Sequence, residues 1–259
     1  VVVLILLFIV GIRIMPRAFP KYASESRELQ TRPLPDDLPA PVDRFYRTIY
    51  GDHVPVIETA VVSGRMDRLR IMGINFKGRF RFVYNAGEDY RHYLENTIFG
   101  IPLFKVNEYY LEGKARMELP FGTFEGPTYD QGANLGLWAE MVWMPSVFIT
   151  DPRVSWEAVD DETAILGVPF GEQKQHFIAR FDSETGLLHM LESMRFKGGE
   201  ERKTLWINQV RAWDTVDGHR IPSSGVLTWL DEGTPWAIFN VEELVYNREV
   251  SEYIRAKGY

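Results

Sequence analysis

The sequence predicts an α+β domain: one large antiparallel sheet, curved and crossed by a few helices, preceded by an N-terminal transmembrane helix. Three observations predict it. Five strand-like runs succeed one another over residues 173–246 with only short turns between them. No βαβ rhythm appears, which argues against Rossmann and TIM architectures. One segment near 134–148 is apolar on nearly every side, as a buried helix is.

Val1 to Ile12 reads VVVLILLFIVGI, and counting past Arg13 to Met15 gives a 15-residue apolar segment, 1–15. A helix needs roughly 20 apolar residues to cross a hydrocarbon core, so a full span requires residues upstream of Val1. A signal anchor is the first reading. A cleaved signal peptide competes, although Arg13, Met15, Pro16 and Arg17 stand where a small-residue cleavage site belongs. A buried core element is the third. Arg13, Arg17, Lys21 and Arg27 behind the run favour a cytoplasmic flank, and without the preceding residues the charges leave sidedness even.

Residues 16–41 hold Pro16, Pro20, Pro33, Pro35, Pro39 and Pro41, the composition of an extended, semi-rigid linker. The domain proper is expected over 42–247, with 248–259 as a tail. Val42, Phe45, Tyr46 and Ile49 share one helical stripe, closed by Gly51. Phe76, Gly78, Phe80, Phe82 and Tyr84 alternate with Lys77, Arg79 and Arg81, the period of a half-buried strand. Further strands are expected at Val56–Met66, Leu69–Ile74, Tyr90–Asn96, Phe104–Leu111 and Lys114–Leu119. The buried helix spans Asn134–Met144, with Asn134 as cap, Pro145 at its end and Glu140 as its single charge. Beyond it the meander runs through Gln173–Phe181, Leu187–Phe196, Lys203–Trp213, Arg220–Leu230 and Trp236–Tyr246. Its turns include Asp182–Gly186, Asp217-Gly218 and Asp231–Gly233.

Composition narrows the function more by exclusion than by assignment. Aromatic residues make up 14% of the chain, which suits pleated, half-buried surfaces. A net charge of −7 offers no basic footprint for nucleic acid. With no cysteine, thiolate metal sites, iron–sulfur clusters, disulfides and cysteine nucleophiles are excluded. The five histidines lack ligand spacing, so no metal is expected, and no nucleophile elbow, dinucleotide fingerprint or phosphate loop points to a cofactor. Each histidine reads best as a surface or hydrogen-bonded strand residue. Asp160-Asp161-Glu162 reads as a solvated turn, and the Lys77, Arg79, Arg81 strip as a solvated outer face. Glu140, in an apolar helix, needs a partner: an Arg or backbone donor in a structural role, or a His if it works as an acid or base.

Several segments resemble a known family: Leu38-Pro39-Ala40-Pro41-Val42, then Leu137-Trp138-Ala139-Glu140-Met141-Val142-Trp143-Met144-Pro145, Val154-Ser155-Trp156, and Gly218-His219-Arg220-Ile221-Pro222 leading to Leu227-Thr228-Trp229. In order over residues 35–247, they resemble an uncharacterised bacterial family of membrane-anchored proteins with a lipoprotein-carrier domain of the LolA and LppX type. The resemblance implies a half-barrel wrapped around helices, acyl chains in its concave face, and an extracytoplasmic domain on a single-pass anchor in the cell membrane. The expected function is therefore a membrane-tethered module binding a lipid or other amphiphile, with Phe80, Phe82, Trp138, Glu140, Trp143, Phe177, Trp206, Trp229 and Trp236 as candidate liners. An envelope scaffold or protein-interaction domain without a small ligand is the alternative. A hydrolase or lyase using Glu140 with a nearby His is the third.

Overall fold

A computed structural model describes residues 2–22 and 28–256. Arg27 and the ends of the expected anchor and tail, Val1 and 257–259, lie outside the described residues. The first helix, α1 (Val2–Gly11), is apolar throughout and exposed along most of its length. At ten residues it is half of what a span needs, and no helix among the described residues is long and apolar enough to cross a membrane.

A small ladder of β1 (Thr31–Pro33) and β2 (His53–Pro55) brackets α2 (Ala40–Tyr50), which buries Val42, Phe45 and Tyr46 as its stripe requires. Gly51 closes this helix at φ 75°. Six strands follow: β3 (Thr59–Ile71), β4 (Ile74–Asn85), β5 (Asp89–Ile98), β6 (Ile101–Leu111), β7 (Lys114–Leu119) and β8 (Gly122–Glu125). The buried helix α3 (Pro127–Glu140) continues into a 3-10 turn, Met141–Trp143, and a short α4 (Val147–Thr150). A second meander runs through β9 (Ser155–Ala158), β10 (Thr163–Phe170), β11 (Gln173–Phe181), β12 (Leu188–Phe196), β13 (Lys203–Val216), β14 (His219–Trp229) and β15 (Pro235–Tyr246), before α5 (Ser251–Arg255).

All strands from β3 to β15 form one antiparallel sheet of 13, in the order β8-β7-β6-β5-β4-β3-β15-β14-β13-β12-β11-β10-β9. Each meander is built of neighbours in sequence. The one long-range seam is β3 against β15, from Ala60 opposite Tyr246 to Leu69 opposite Ala237. The sheet's inner face and α2, α3 and α4 share one hydrophobic core, which includes Val62, Phe80, Phe177, Leu135 and Trp138. Tyr46 donates to the Pro145 carbonyl at 2.7 Å, and Tyr246 to that of Trp143, pinning the chain after α3.

Four expectations change. Leu69–Ile74 is no separate strand: a bulge after Met66 lets β3 run on to Ile71, and the chain turns at Met72-Gly73. The buried helix begins at Pro127, seven residues before Asn134. Pro is suited to a first turn that needs no N–H, and Asn134, mid-helix, instead donates to the Pro169 carbonyl and Gln175. Strands β8, β9 and β10 were not foreseen. Finally, the Arg79–Arg81 strip is covered rather than solvated. Arg79 pairs with Glu95 at 2.6 Å and Arg81 with Glu243 at 3.3 Å. Phe19 lies over the Arg79 guanidinium at 4.2 Å, and the Arg17 and Pro20 carbonyls accept from Arg79 and Arg81. The Pro-rich segment thus runs across the outer face as far as Tyr22, whose N–H donates to Glu243.

Candidate functional site

Where the two meanders curve past α3, the inner face is not filled. An open cleft lies between them, its empty space about 880 Å³ with the solvent at its mouth included, reaching from Leu69 to Phe239 and touching α3 at Gly136 and Glu140. A second, narrower space continues it along Leu188, Leu191 and Val226, sharing Glu140, Trp206, Leu227 and Phe239 with the first. A third lies beyond Arg195, sharing Glu108, Met117, Leu119 and Arg195. These residues share a wall because alternate positions of each strand face inward.

At the centre stands a polar cluster. The His92 ring is stacked between Phe82 and Tyr90, with centroids 3.9 and 3.8 Å away. Its Nε2 stands 2.9 Å from Glu140 Oε2, without the alignment of a hydrogen bond. Tyr84 donates its hydroxyl to the same oxygen at 2.9 Å, and Tyr90 donates to Glu108 at 2.5 Å. Burial first, and the adjacent carboxylates second, push both phenols well above their ordinary value, so they remain donors at neutral pH. Glu140 is thereby partnered by a phenol and an imidazole, not by the Arg or backbone donor expected of a structural carboxylate.

Arg195, inward-facing on β12, is different. Its guanidinium lies 4.1 Å from the Trp206 ring centre and its Nε is shielded from solvent without a hydrogen-bond partner. Burial lowers its pKa from the ordinary value, while Glu108, Tyr90 and Glu140 oppose that shift. It fits against α3 because Gly132 is there: a Cβ at that position would stand 3.3 Å from Nε. The site is a largely apolar trough with a hydrogen-bonded acid cluster on one wall and an unsatisfied cation on the other.

Of the residues expected to line a pocket, Phe82, Glu140, Trp206 and Trp236 line the central hollow, and Trp143, Glu140 and Trp206 the second. Phe80, Trp138 and Phe177 do not reach these hollows; they are fully buried core. Trp229 stands behind Trp206 at 6.3 Å, outside the lining. The reading from sequence missed Tyr84, Tyr90, His92, Glu108 and Arg195. His92, expected as a surface or hydrogen-bonded strand residue, is a buried strand residue. A signal for it existed: Tyr90, His92 and Leu94 keep one parity, as do Val106, Glu108 and Tyr110, so the polar members are in phase with buried neighbours.

Residues 28–241 match a family of unknown function, DUF6544. The chain belongs to that family. No curated protein matches it in sequence. Among solved structures, the DUF6544 fold is similar to a DUF1329 family protein from Desulfovibrio piger, at 13% identity and TM-score 0.46, over 78% of this chain and 91% of that one. It is also similar to a LolA superfamily protein from Nitrosomonas europaea, at 8% identity and TM-score 0.48, over 83% and 96%. A third similarity is to a putative outer membrane lipoprotein-sorting protein domain from Vibrio parahaemolyticus, at 10% identity and TM-score 0.42, over 82% and 92%.

Proposed function

We propose that this chain is a membrane-tethered, extracytoplasmic binding module that holds a single amphiphile in the trough, its tail against the apolar wall and an acidic head at Arg195. The observation that carries this reading is the open, mostly apolar trough, into which Arg195 brings a guanidinium whose buried Nε has no hydrogen-bond partner. A buried donor left unpaired is costly, and a carboxylate or phosphate oxygen supplies the missing acceptor with charge assistance. The tether is supported by the apolar, exposed α1, and the extracytoplasmic side by the resemblance to anchored carrier-type proteins.

Native mass spectrometry of the full chain extracted from membranes tests it. A bound amphiphile mass is expected, and Arg195→Gln should weaken retention of an acidic amphiphile roughly tenfold or more. Leu191→Trp, which fills the second hollow, should shorten or abolish the accepted tail. A clean apo mass that takes up no lipid on titration overturns the reading.

The contact of His92 with Glu140 inside an open hollow favours a second reading, acid–base chemistry on the bound molecule. His92→Gln separates the two. Turnover of an ester or similar amphiphile that vanishes in this variant, with binding kept, supports chemistry; uptake without turnover in either protein leaves binding alone.

A further inference from the structure

Antiparallel order places the hairpin turns alternately at two ends of the sheet, and the two ends differ in chemistry. At one end α2 closes the inner face: Phe45 packs on Phe181 and Trp213, each at 5.7 Å, near the ends of β11 and β13. Every turn at that end carries a carboxylate: Glu88 between β4 and β5, Glu112 between β6 and β7, Asp160–Glu162 between β9 and β10, Asp182 and Glu184 between β11 and β12, and Asp217 between β13 and β14.

At the other end four of the six turns, which succeed one another along the sheet, expose large apolar side chains. These are Phe121 between β7 and β8, Phe99 between β5 and β6, Met72 between β3 and β4, and Leu230 between β14 and β15, exposed by 62%, 44%, 89% and 59%. The two farther turns, Gly171-Glu172 and Lys197–Arg202, are charged, as are Asp231 and Glu232 beside Leu230. Ile101 and Leu103, just after the Phe99 turn, extend the rim. The trough reaches this end, because Leu69 to Ile71, Leu119 and Trp236 line it and immediately adjoin these turns.

Local turn chemistry does not account for the rim. Met72 and Phe99 sit at φ 49° and 52°, each followed by Gly. That is the two-residue hairpin position favouring Asn, Asp or Gly, and a bulky side chain there is disfavoured. The opposite end solves the same turns with Glu112-Gly113 and Asp217-Gly218, at φ 52° and 44°. The exposed apolar end of α1 joins the rim directly: the Phe99 N–H donates to the Gly11 carbonyl at 2.8 Å, and Phe8 packs on Phe76 at 6.5 Å.

We infer that this rim is a bilayer-docking surface: the four turns and α1 enter the lipid interface together, and the mouth of the trough opens onto the membrane. A contiguous exposed apolar patch marks an interaction surface. The occupant is a bilayer because an all-apolar helix continues the patch on the side of the Phe99 turn, away from the charged β10–β11 and β12–β13 turns. The inference rests on the proposed membrane association but not on the ligand of the trough.

The absence of cysteine makes the test direct. Met72→Cys, Phe99→Cys, Glu112→Cys and Asp217→Cys place an environment-sensitive fluorophore at four turn positions of matched backbone geometry, two at each end. The full chain is mixed with phosphatidylethanolamine–phosphatidylglycerol vesicles. Labels at 72 and 99 should shift to the blue and be quenched by nitroxide lipids; those at 112 and 217 should not respond. Vesicle binding with all four labels silent would overturn the inference, leaving α1 as the membrane contact and the rim to a protein partner. No vesicle binding at all would overturn the tether as well. The double variant Met72→Asn, Phe99→Asn guards against misfolding. Asn suits both turns, so its melting temperature should rise while vesicle partitioning falls roughly tenfold or more; unchanged partitioning would also overturn the inference.

Discussion

The two meanders present different walls to the same trough. On β4–β6 the inward residues include two tyrosines, a histidine and a glutamate: Tyr84 donates to Glu140 of α3, beside which His92 stands, and Tyr90 donates to Glu108. On β12–β15 the wall is Leu188, Leu191, Trp206, Val226, Leu227 and Phe239, and Arg195 is its charged member. The first wall pairs its phenols and carboxylates with one another and leaves the buried His92 Nε2 beside Glu140 without a hydrogen bond. The second leaves the Arg195 Nε without one. A polar, hydrogen-bonded wall facing an apolar one suits the amphiphilic guest proposed above.

The comparison predicts unequal sensitivities. Trp206→Ala should cost most, about 3–5 kcal/mol, since it empties a buried site and removes the ring under Arg195. Thermal denaturation checks this, and a loss below that of the polar-wall variants would break the contrast. Tyr84→Phe should cost about 1–3 kcal/mol, by leaving Glu140 short of a donor. Adding Glu140→Gln should recover part of that loss, which a double-mutant cycle would measure.

The polar wall should also weaken in alkali. Tyr84 and Tyr90 are held above the ordinary phenol value of 10.0 in the folded chain, and Tyr110 is pushed up to about 12 by burial. Below pH 10 both folded and unfolded phenols are protonated. Above it the unfolded chain releases protons that the folded chain keeps, so stability falls progressively through pH 12. Absorbance of ionised tyrosine near 295 nm should rise together with unfolding, and Tyr84→Phe, Tyr90→Phe should flatten the pH slope. The smallest effect expected is at the α2-closed end, where burial holds His219 below its ordinary value of 6.5 beside Tyr246. Its folded form binds protons less readily than the unfolded chain, so stability declines as pH falls through 6.5. His219→Gln should remove that component of an acid titration.

Much of the fold was legible because its determinants are local. Gln173–Phe181 and Lys114–Leu119 were bounded correctly by alternation and turn residues, and the α2 stripe by helical spacing. Short elements without alternation, such as Ser155–Ala158, gave no such signal. The liners were legible only as apolar: Phe80 and Phe82 lie two residues apart on one strand face and both meet Phe239 and Trp143, yet only Phe82 reaches the hollow, against His92. The rim was invisible for a related reason. Met72 lies within a run that reads as strand and Phe99 in the gap between two expected strands, until the register makes both of them turns.

The sequence by itself determined the antiparallel meander, the buried helix and the apolar leading segment, because period, capping and turn chemistry act over a few residues. Only the tertiary structure decided that β3 meets β15, that Arg195 faces Glu108 and Glu140 across a hollow, and that four apolar turns share one end with α1. Those relations depend on which strands become neighbours. Nothing in one strand's alternation encodes the partner with which it will share a wall.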